Sequence, residues 1–443
     1  MKYTKFLLLL ILTASCASQR SVRHYGYQAN GQPVQPAVVQ QPVAVQEEEA
    51  VLEPEVVASA RPLVSQVYPF PEGTWQYYKQ RALDSLCQSP IFETTQLGLY
   101  VYDLTDGLPL YAINAAHRMR PASCQKVVTA VTALNCLKKD FQLRTEFRIS
   151  GKVTGGVLQG NLIVVGGMDP LVIYDELLEA ALTIKQKQGI ERIAGNLVFD
   201  LSMREDKEYG WGWCWDDDYG PLSTLLVNGK DGFEEKWIQA LTQAGINFST
   251  STQSLKGQAD RQSKTVYSIR HDLDELLEPM MKNSDNIYAE CLFYQIAATT
   301  GKKFAGRKEV AQRTEDLLSK IGLDANQYKV ADGSGLSLYN YASAEMLVAL
   351  LGYAWRTESI KEHLLPSLPV SGFDGTLKNR MVGTEADGNV RAKTGTVNGI
   401  SSLAGYITTA NGHTLAFAII NQGVGSSAMG RTFQDKVCIE LCR

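Results

Sequence analysis

The chain has 443 residues, which is long enough for two or three domains with a substantial buried core. Hydrophobic residues make up 44% of it and charged residues 20%, an ordinary composition for a globular protein. A formal net charge of −4, without any run of lysine and arginine, argues against a nucleic-acid-binding protein.

The first residues are typical of an export signal. A positively charged start precedes an apolar segment at 6–12, which is too short to span a bilayer. Small residues then precede Cys16, which predicts a bacterial lipoprotein with residues 1–16 as its signal region and Cys16 as the lipidated residue. Cleavage after Ala17, with loss of Cys16, is the alternative. Membrane attachment is expected only through this lipid anchor.

Residues 17–67 are rich in Gln, Val, Pro, Ala and Glu and show no sustained helical or strand period. We predict a disordered tether there, which would let the folded body search away from a membrane surface. The folded body begins near residue 68 with a helix, a strand pair and a buried helix. These elements are predicted at 75–87, 97–103, 110–113 and 123–137.

Residues 151–228 show a different pattern and are predicted to form an inserted α/β subdomain. Two strand-like segments meet at Gly155-Gly156, and a helix and a further strand follow. Near the end of the chain, two strands flank Asn411-Gly412 and a terminal helix follows, a pattern typical of an antiparallel hairpin. Strands at both ends of a helical middle predict an α+β domain with an antiparallel sheet over residues 68–150 and 229–443.

Ser123-x-x-Lys126 places a hydroxyl and an amine one helical turn apart. The Ser123 amide and the helix N-terminus can stabilise an oxyanion. Lys126 can take the hydroxyl proton if burial and nearby cations such as Lys393 lower its pKa. Alone, such a pair is more often a serine helix cap followed by a surface lysine.

Ser284-Asp285-Asn286 lies in a polar stretch at the start of a predicted helix. We expect Ser284 to relay a proton to a leaving amine and Asn286 to hold Lys126 or a substrate amide. Asp285 is assigned a structural role. As a lone feature this triplet is most often a helix cap.

Lys393-Thr394-Gly395 precedes Thr396 on a predicted strand edge. Lys393 and Thr394 can receive a terminal carboxylate, Gly395 allows close approach of a substrate backbone, and Thr396 offers a second oxyanion-hole amide. A solvated turn before a hairpin is the plain alternative. All three strings in this order predict a serine acyl-transferase that works without histidine.

Other chemistries have less support. The five histidines lack a nucleophile setting such as Gly-x-Ser-x-Gly and conventional metal motifs are missing, so we expect neither a metal nor a cofactor. Cys124, Cys136, Cys438 and Cys442 are interpreted as packing residues, and at least one cysteine is expected to be free or paired outside the chain. A disulfide from Cys438 or Cys442 to Cys87 is the alternative.

The wider sequence resembles the class C low-molecular-mass penicillin-binding proteins, the D-Ala-D-Ala carboxypeptidase/endopeptidase family. The resemblance covers roughly residues 70–443. It rests on Arg120-Pro-Ala-Ser-Cys-Gln-Lys-Val-Val-Thr129, Gly166-Gly-Met-Asp-Pro170, Asp332-Gly-Ser-Gly-Leu-Ser337, Gly372-Phe-Asp-Gly-Thr-Leu377 and Arg391-Ala-Lys-Thr-Gly-Thr396.

This resemblance implies a penicillin-binding-protein/β-lactamase-like transpeptidase fold with an insertion after the nucleophile helix. It implies Ser123 as the acylated residue and Lys126 as the base, with Ser284 and Asn286 as the second element and Lys393 and Thr394 as carboxylate binders. The expected substrates are peptidoglycan stem peptides, with β-lactams as acylating inhibitors. The expected location is the periplasm of a Gram-negative bacterium.

The chain departs from the family in two places. Many members carry a second inserted domain, whereas Val227-Asn228 continues into the segment 231–237 with little between. Cys124 occupies a position often held by threonine.

The segment 210–218 has a counterpart in the family. Its three tryptophans could flank a glycan, although packing of the insert on the main domain is the plainer interpretation.

Two rival functions were weighed. A β-lactamase shares these motifs, but no glutamate stands out for rapid deacylation, and the insert fits the peptidase family better. A catalytically inactive, wall-binding lipoprotein is the other rival, and the intact motifs argue against it.

Overall fold

The computed structural model describes residues 63, 65–137, 140–214, 217 and 220–443. The predicted signal region, Cys16 and nearly all of the predicted tether lie outside these residues. Within them, no helix combines the length and the apolar character needed to cross a membrane.

The described part of the chain contains ten α-helices and fourteen strands. The helices are α1 (Trp75–Cys87), α2 (Gln125–Cys136), α3 (Tyr174–Gln188), α4 (Phe233–Gln243), α5 (Leu273–Lys282), α6 (Asn286–Ala298), α7 (Arg307–Lys320), α8 (Ala344–Arg356), α9 (Glu358–Ser367) and α10 (Ser427–Cys442). The strands are β1 (Gln96–Asp103), β2 (Leu108–Ile113), β3 (Gln142–Ile149), β4 (Lys152–Thr154), β5 (Val157–Gln159), β6 (Leu162–Val165), β7 (Arg192–Ile193), β8 (Leu197–Asp200), β9 (Asn247–Phe248), β10 (Ser254–Lys256), β11 (Lys264–Asp272), β12 (Arg391–Val397), β13 (Ile400–Thr408) and β14 (Thr414–Gln422).

A five-stranded antiparallel sheet joins the two ends of the folded part, in the order β12-β13-β14-β1-β2. The hairpin predicted around Asn411-Gly412 is β13–β14, and the strand pair predicted at 97–103 and 110–113 is β1–β2. Helix α1 has the predicted bounds, whereas α10 begins at Ser427, four residues before Arg431, where the sequence predicts its start. The predicted α+β class with an antiparallel sheet is confirmed.

Both faces of this sheet are buried, and the side chains alternate between two cores. Ala404, Tyr406, Ala416 and Ala418 belong to the core that contains α2, α6 and α8. Leu403, Ile407, Leu415 and Phe417 belong to the core shared with α1 and α10. One face of the sheet thus packs on the helices that carry the candidate site, and the other face packs on α1 and α10. Strand β12 forms one edge of the sheet.

Two further sheets lie in the middle of the chain, in the orders β10-β8-β6-β3-β11 and β4-β5-β7-β9. Their shared apolar core includes residues from Phe147 to Ile269, among them the fully buried Trp237. Because this core includes Phe147 and Ile269, the region contains residues that come before and after the predicted insert at 151–228. The described residues fall in one compact unit by their contacts. The predicted domain limits stay a prediction.

Within the described part of the chain the seven cysteines are free thiols. The alternative of a disulfide from Cys438 or Cys442 to Cys87 is therefore wrong. All three sulfurs lie in the core between α1, α10 and the central sheet. They pack there as small apolar groups.

Candidate active site

Ser123 lies in a short 3-10 turn, Ala122–Cys124, directly before α2. Ala122 has a φ of +48°, an unusual value for a residue with a side chain, and such backbone strain is concentrated at functional sites. Ser123 keeps part of its surface exposed, whereas Lys126 on the first turn of α2 is fully buried. The Lys126 Nζ lies 3.2 Å from the Ser123 Oγ.

Two other oxygens hold the Lys126 amine. Its Nζ donates to the Asn286 Oδ1 at 2.5 Å and to the Ser334 carbonyl at 2.9 Å. Asn286 is the first residue of α6, and Ser334 lies in the loop at 332–337. The amine is thus fixed from three directions, with the Ser123 hydroxyl as the partner nearest the surface.

Ser284 occupies the turn between α5 and α6 with a φ of +62°. Its Oγ accepts a hydrogen bond of 2.9 Å from the Lys393 Nζ. Asp285 caps α6 by accepting from the backbone amides of Ile287 and Tyr288, which confirms its predicted structural role. With this left-handed backbone at Ser284, one turn places the Ser284 hydroxyl at Lys393 and the Asp285 carboxylate at the start of α6.

Strand β12 brings Lys393, Thr394, Gly395 and Thr396 to the edge of the central sheet beside the Ser123 turn. A Cβ on Gly395 would lie 2.8 Å from the Pro121 carbonyl oxygen and 2.9 Å from the Cys124 nitrogen, so only glycine permits this approach. The Thr394 hydroxyl donates to the Thr376 hydroxyl at 2.8 Å. Thr396 is exposed, and its role in an oxyanion hole stays a prediction.

Burial lowers the pKa of Lys126 to about 8, while the nearby carboxyl groups of Asp332, Glu290 and Asp285 act in the opposite direction. Burial and the neighbouring Lys126 hold the pKa of Lys393 well below its usual range. Burial is therefore the main cause of the lowered Lys126 pKa, and the contribution of Lys393 to it stays a prediction.

Sequence reasoning assigned no site role to three residues around this cluster: Glu290, Thr376 and the buried Asp332. Asp332 accepts from the amides of Gly335 and Ser337 and so shapes the loop that supplies the Ser334 carbonyl. Two signals were available in the sequence. Glu290 is a carboxyl group on an otherwise apolar helix, four residues after Asn286, and Thr376 lies in one of the matching family segments.

The described tryptophans of the segment 210–218 favour packing over glycan binding. The Trp213 Nε1 donates to the Asp332 Oδ2 at 2.9 Å. The Trp211 ring has the Arg307 guanidinium 4.3 Å and the Lys329 amine 4.5 Å from its centroid, and the Tyr339 ring packs beside it. Cations and an aromatic ring already contact the surface that a sugar would need.

Asp103, Asp106 and His413 are near enough to one another to hold a metal ion, at the end of β1 and the start of β14. The Asp103 carboxylate is engaged by the backbone amides of Thr105 and Asp106 and by the His413 Nδ1 at 2.7 Å. These bonds stabilise the turn after β1. None of the predicted site residues contributes to this group.

The sequence model of the D-Ala-D-Ala carboxypeptidase 3 (S13) family matches residues 79–226 and 220–439. The chain belongs to this family. The chain is similar to a D-alanyl-D-alanine carboxypeptidase DacB of Haemophilus influenzae, 27% identical over 73% of this chain and 85% of that protein. A D-alanyl-D-alanine carboxypeptidase of Actinomadura sp. (strain R39) is also 27% identical, over 81% of this chain and 83% of that protein.

The crystal structure of penicillin-binding protein 4 (dacB) from Haemophilus influenzae superposes with a TM-score of 0.70 at 26% identity, covering 79% of this chain and 95% of that chain. The predicted family, the penicillin-binding-protein fold and the serine D-Ala-D-Ala carboxypeptidase class are confirmed at this level. A predatory peptidoglycan endopeptidase of Bdellovibrio bacteriovorus has the same fold, with a TM-score of 0.50 at 18% identity.

Proposed function

We propose that this S13-family protein is a serine DD-peptidase that cleaves peptidoglycan stem peptides through an acyl-enzyme on Ser123. The observation that carries the proposal is the 3.2 Å approach of the Lys126 Nζ to the Ser123 Oγ, with the lysine pKa lowered to about 8 by burial. A lysine with that pKa is neutral often enough near neutral pH to act as a base.

Acylation follows from the contacts of the two lysines. The Ser123 oxygen attacks the carbonyl carbon between two D-alanines while its proton passes to the Lys126 Nζ. The carbon–nitrogen bond then breaks, and the Ser284 hydroxyl, bonded to Lys393, relays the proton taken up by Lys126 to the leaving amine, so that both Ser284 and Lys126 return to their starting protonation states. Water attacks the ester in the second half of the reaction and restores the Ser123 hydroxyl.

Substrate binding is assigned to the edge of β12. The Lys393 amine and the Thr394 hydroxyl receive the terminal carboxylate, and its negative charge favours protonation of a lysine whose pKa is held low in the free enzyme. Gly395 and Thr396 align the substrate backbone along the strand, which lies at the edge of the five-stranded sheet. We expect β-lactams to bind to the same residues. A solved complex of the Haemophilus influenzae protein with a β-lactam supports this expectation.

The same site would serve DD-endopeptidase action on the D-Ala–diamino-acid cross-link, because the scissile bond is again on the carboxyl side of a D-alanine.

Among the rivals, β-lactamase activity needs a carboxylate that activates water for deacylation. The Glu290 carboxyl group instead accepts hydrogen bonds from the backbone amides of Gly333 and Ser334.

For location we propose the periplasm of a Gram-negative bacterium, with a lipid anchor on Cys16. The support is the charged and apolar start of the chain and the small residues before Cys16. Labelling with radioactive palmitate should mark the wild type and not Cys16→Ser, and labelling of both would reject the anchor.

The catalytic assignment is tested with a fluorescent penicillin. The wild type should be labelled covalently, and Ser123→Ala should not be. Mass spectrometry of digested sacculi should then show release of D-alanine, cleavage of cross-links, or both. Labelling of Ser123→Ala would reject the assignment, fast nitrocefin turnover would favour a β-lactamase, and absence of both products would favour the inactive wall-binding protein.

A further inference from the structure

Glu290 is a carboxyl group buried beside the candidate site for which the proposed reaction gives no role. It lies on α6 four residues after Asn286 and is 1% exposed. Residues four apart share one face of a helix, so Glu290 and Asn286 both face the buried side of the site. Burying an ionisable group is unfavourable unless the group is hydrogen-bonded or paired.

The hydrogen bonds of Glu290 all go to the loop that supplies a carbonyl to Lys126. The Glu290 Oε1 accepts from the amides of Gly333 at 3.1 Å and Ser334 at 2.9 Å, and the Oε2 lies 3.2 Å from the Gly333 nitrogen. The carbonyl of the same Ser334 accepts from the Lys126 Nζ at 2.9 Å. One peptide segment therefore connects Glu290 to the amine.

The loop also lies directly against α6. A Cβ on Gly333 would be 2.5 Å from the Ala289 carbonyl oxygen and 2.7 Å from the Phe293 Cβ. The loop is consequently held at close range, and a small shift at Glu290 would be passed to the Ser334 carbonyl rather than absorbed by free space.

We propose that Glu290 is a positioning residue for Lys126: by holding the Gly333 and Ser334 amides, it places the Ser334 carbonyl against the lysine amine. Asn286 contacts the same amine directly, so two residues on one face of α6 position the base: Asn286 by direct contact and Glu290 through the loop. This inference rests on the proposed role of Lys126 as the base. It concerns the hydrogen bonds that the Glu290 carboxyl group accepts from this loop.

Three variants of the full chain separate position from charge. Glu290→Gln keeps an oxygen at the Oε1 position, and Glu290→Ala removes it. Glu290→Asp keeps the carboxyl group but shortens the side chain by one methylene, so that the two amides are out of reach. Gln295→Ala is the matched control, because Gln295 is a buried polar residue of the same helix that bonds to the Gly167 carbonyl.

The measurement is acylation by fluorescent penicillin, divided into the dissociation constant before acylation and the acylation rate constant. Glu290→Ala and Glu290→Asp should lower the rate constant by about 100-fold, the effect of misplacing a catalytic group by about 1 Å. The dissociation constant should stay unchanged, because Lys393 and Thr394 are untouched. Glu290→Gln and Gln295→Ala should have acylation rate constants within about threefold of the wild type. A threefold change in rate corresponds to less than half of the change in barrier height that alters the rate tenfold.

Several results would overturn the inference. They are wild-type acylation by Glu290→Asp, an equal loss in Glu290→Gln, an equal loss in Gln295→Ala, or a loss confined to the dissociation constant. If Glu290→Ala does not fold, Glu290→Asp and Glu290→Gln still decide between position and charge. A wild type that no penicillin labels would reject the proposed function instead, which keeps the two failures distinct.

Discussion

The hydroxyl of Ser402 donates a hydrogen bond of 2.6 Å to the carbonyl oxygen of Pro121. Ser402 is on β13, and Pro121 immediately precedes the turn that carries Ser123. Both residues are buried. The bond therefore connects the central sheet to the proposed nucleophile across 281 positions of the chain.

Replacement of this hydroxyl tests the connection. Ser402→Ala removes one of the two donors to the buried Pro121 carbonyl, which also accepts from the Cys124 amide at 3.2 Å, and it should lower the free energy of unfolding by about 0.5–1.5 kcal/mol. Acylation by penicillin should slow as well, because the Ser123 turn loses its tie to the sheet. Ser401→Ala is the control: Ser401 is equally buried and bonds to Gln434. It should lose stability and keep the acylation rate; equal acylation in both variants would contradict the expectation.

Gly395→Ala should displace the same turn by overcrowding. The added Cβ would lie 2.2 Å from the Ser402 Oγ and 2.8 Å from the Pro121 carbonyl oxygen. We expect a loss of about 1–3 kcal/mol in the free energy of unfolding, together with slow acylation. Gly425→Ala, where no atom lies within 4 Å of the added carbon, should change neither quantity. Denaturant unfolding and penicillin labelling measure both effects, and a fully active Gly395→Ala would disprove the close approach.

The pH dependence of acylation should report the pKa of Lys126. Its neutral form is the base, and burial lowers its pKa from 10.5 to about 8. The second-order acylation constant should therefore rise with pH, reach half of its plateau near pH 8, and fall in acid as the amine gains a proton. Lys126→Arg should stay inactive throughout, since arginine is not deprotonated in this range. A profile that keeps rising to pH 10, or is flat from pH 6 to 9, would rule out this base.

Thr376 should affect substrate binding more than acylation chemistry. Thr376→Val keeps the shape of the side chain and removes the hydroxyl that accepts from Thr394. We expect binding of penicillin and of D-Ala-D-Ala peptides to weaken by about 0.5–1.5 kcal/mol, with the acylation rate constant unchanged. Thr432→Val, an exposed threonine on α10, should have no effect on binding. A drop in the rate constant without weaker binding would show that the Thr376 hydroxyl acts elsewhere.

Local patterns predicted most elements of the main fold. The bounds of α1 agree with the helical periodicity, and the hairpin β13–β14 agrees with strands on either side of Asn411-Gly412. The middle of the chain was harder to divide. Strands β3 and β11 pair with each other across 115 residues or more, and no periodicity within either strand indicates that partner.

By itself the sequence determined the candidate chemistry. Ser123 and Lys126 are three residues apart, and on a helix that spacing always places two side chains on one face. Only the tertiary structure decided what surrounds them. The Asn286 and Ser334 oxygens that hold Lys126 come from 160 and 208 positions further along the chain. The lowered pKa of Lys126 was also decided there, because burial exists only once distant segments have packed together.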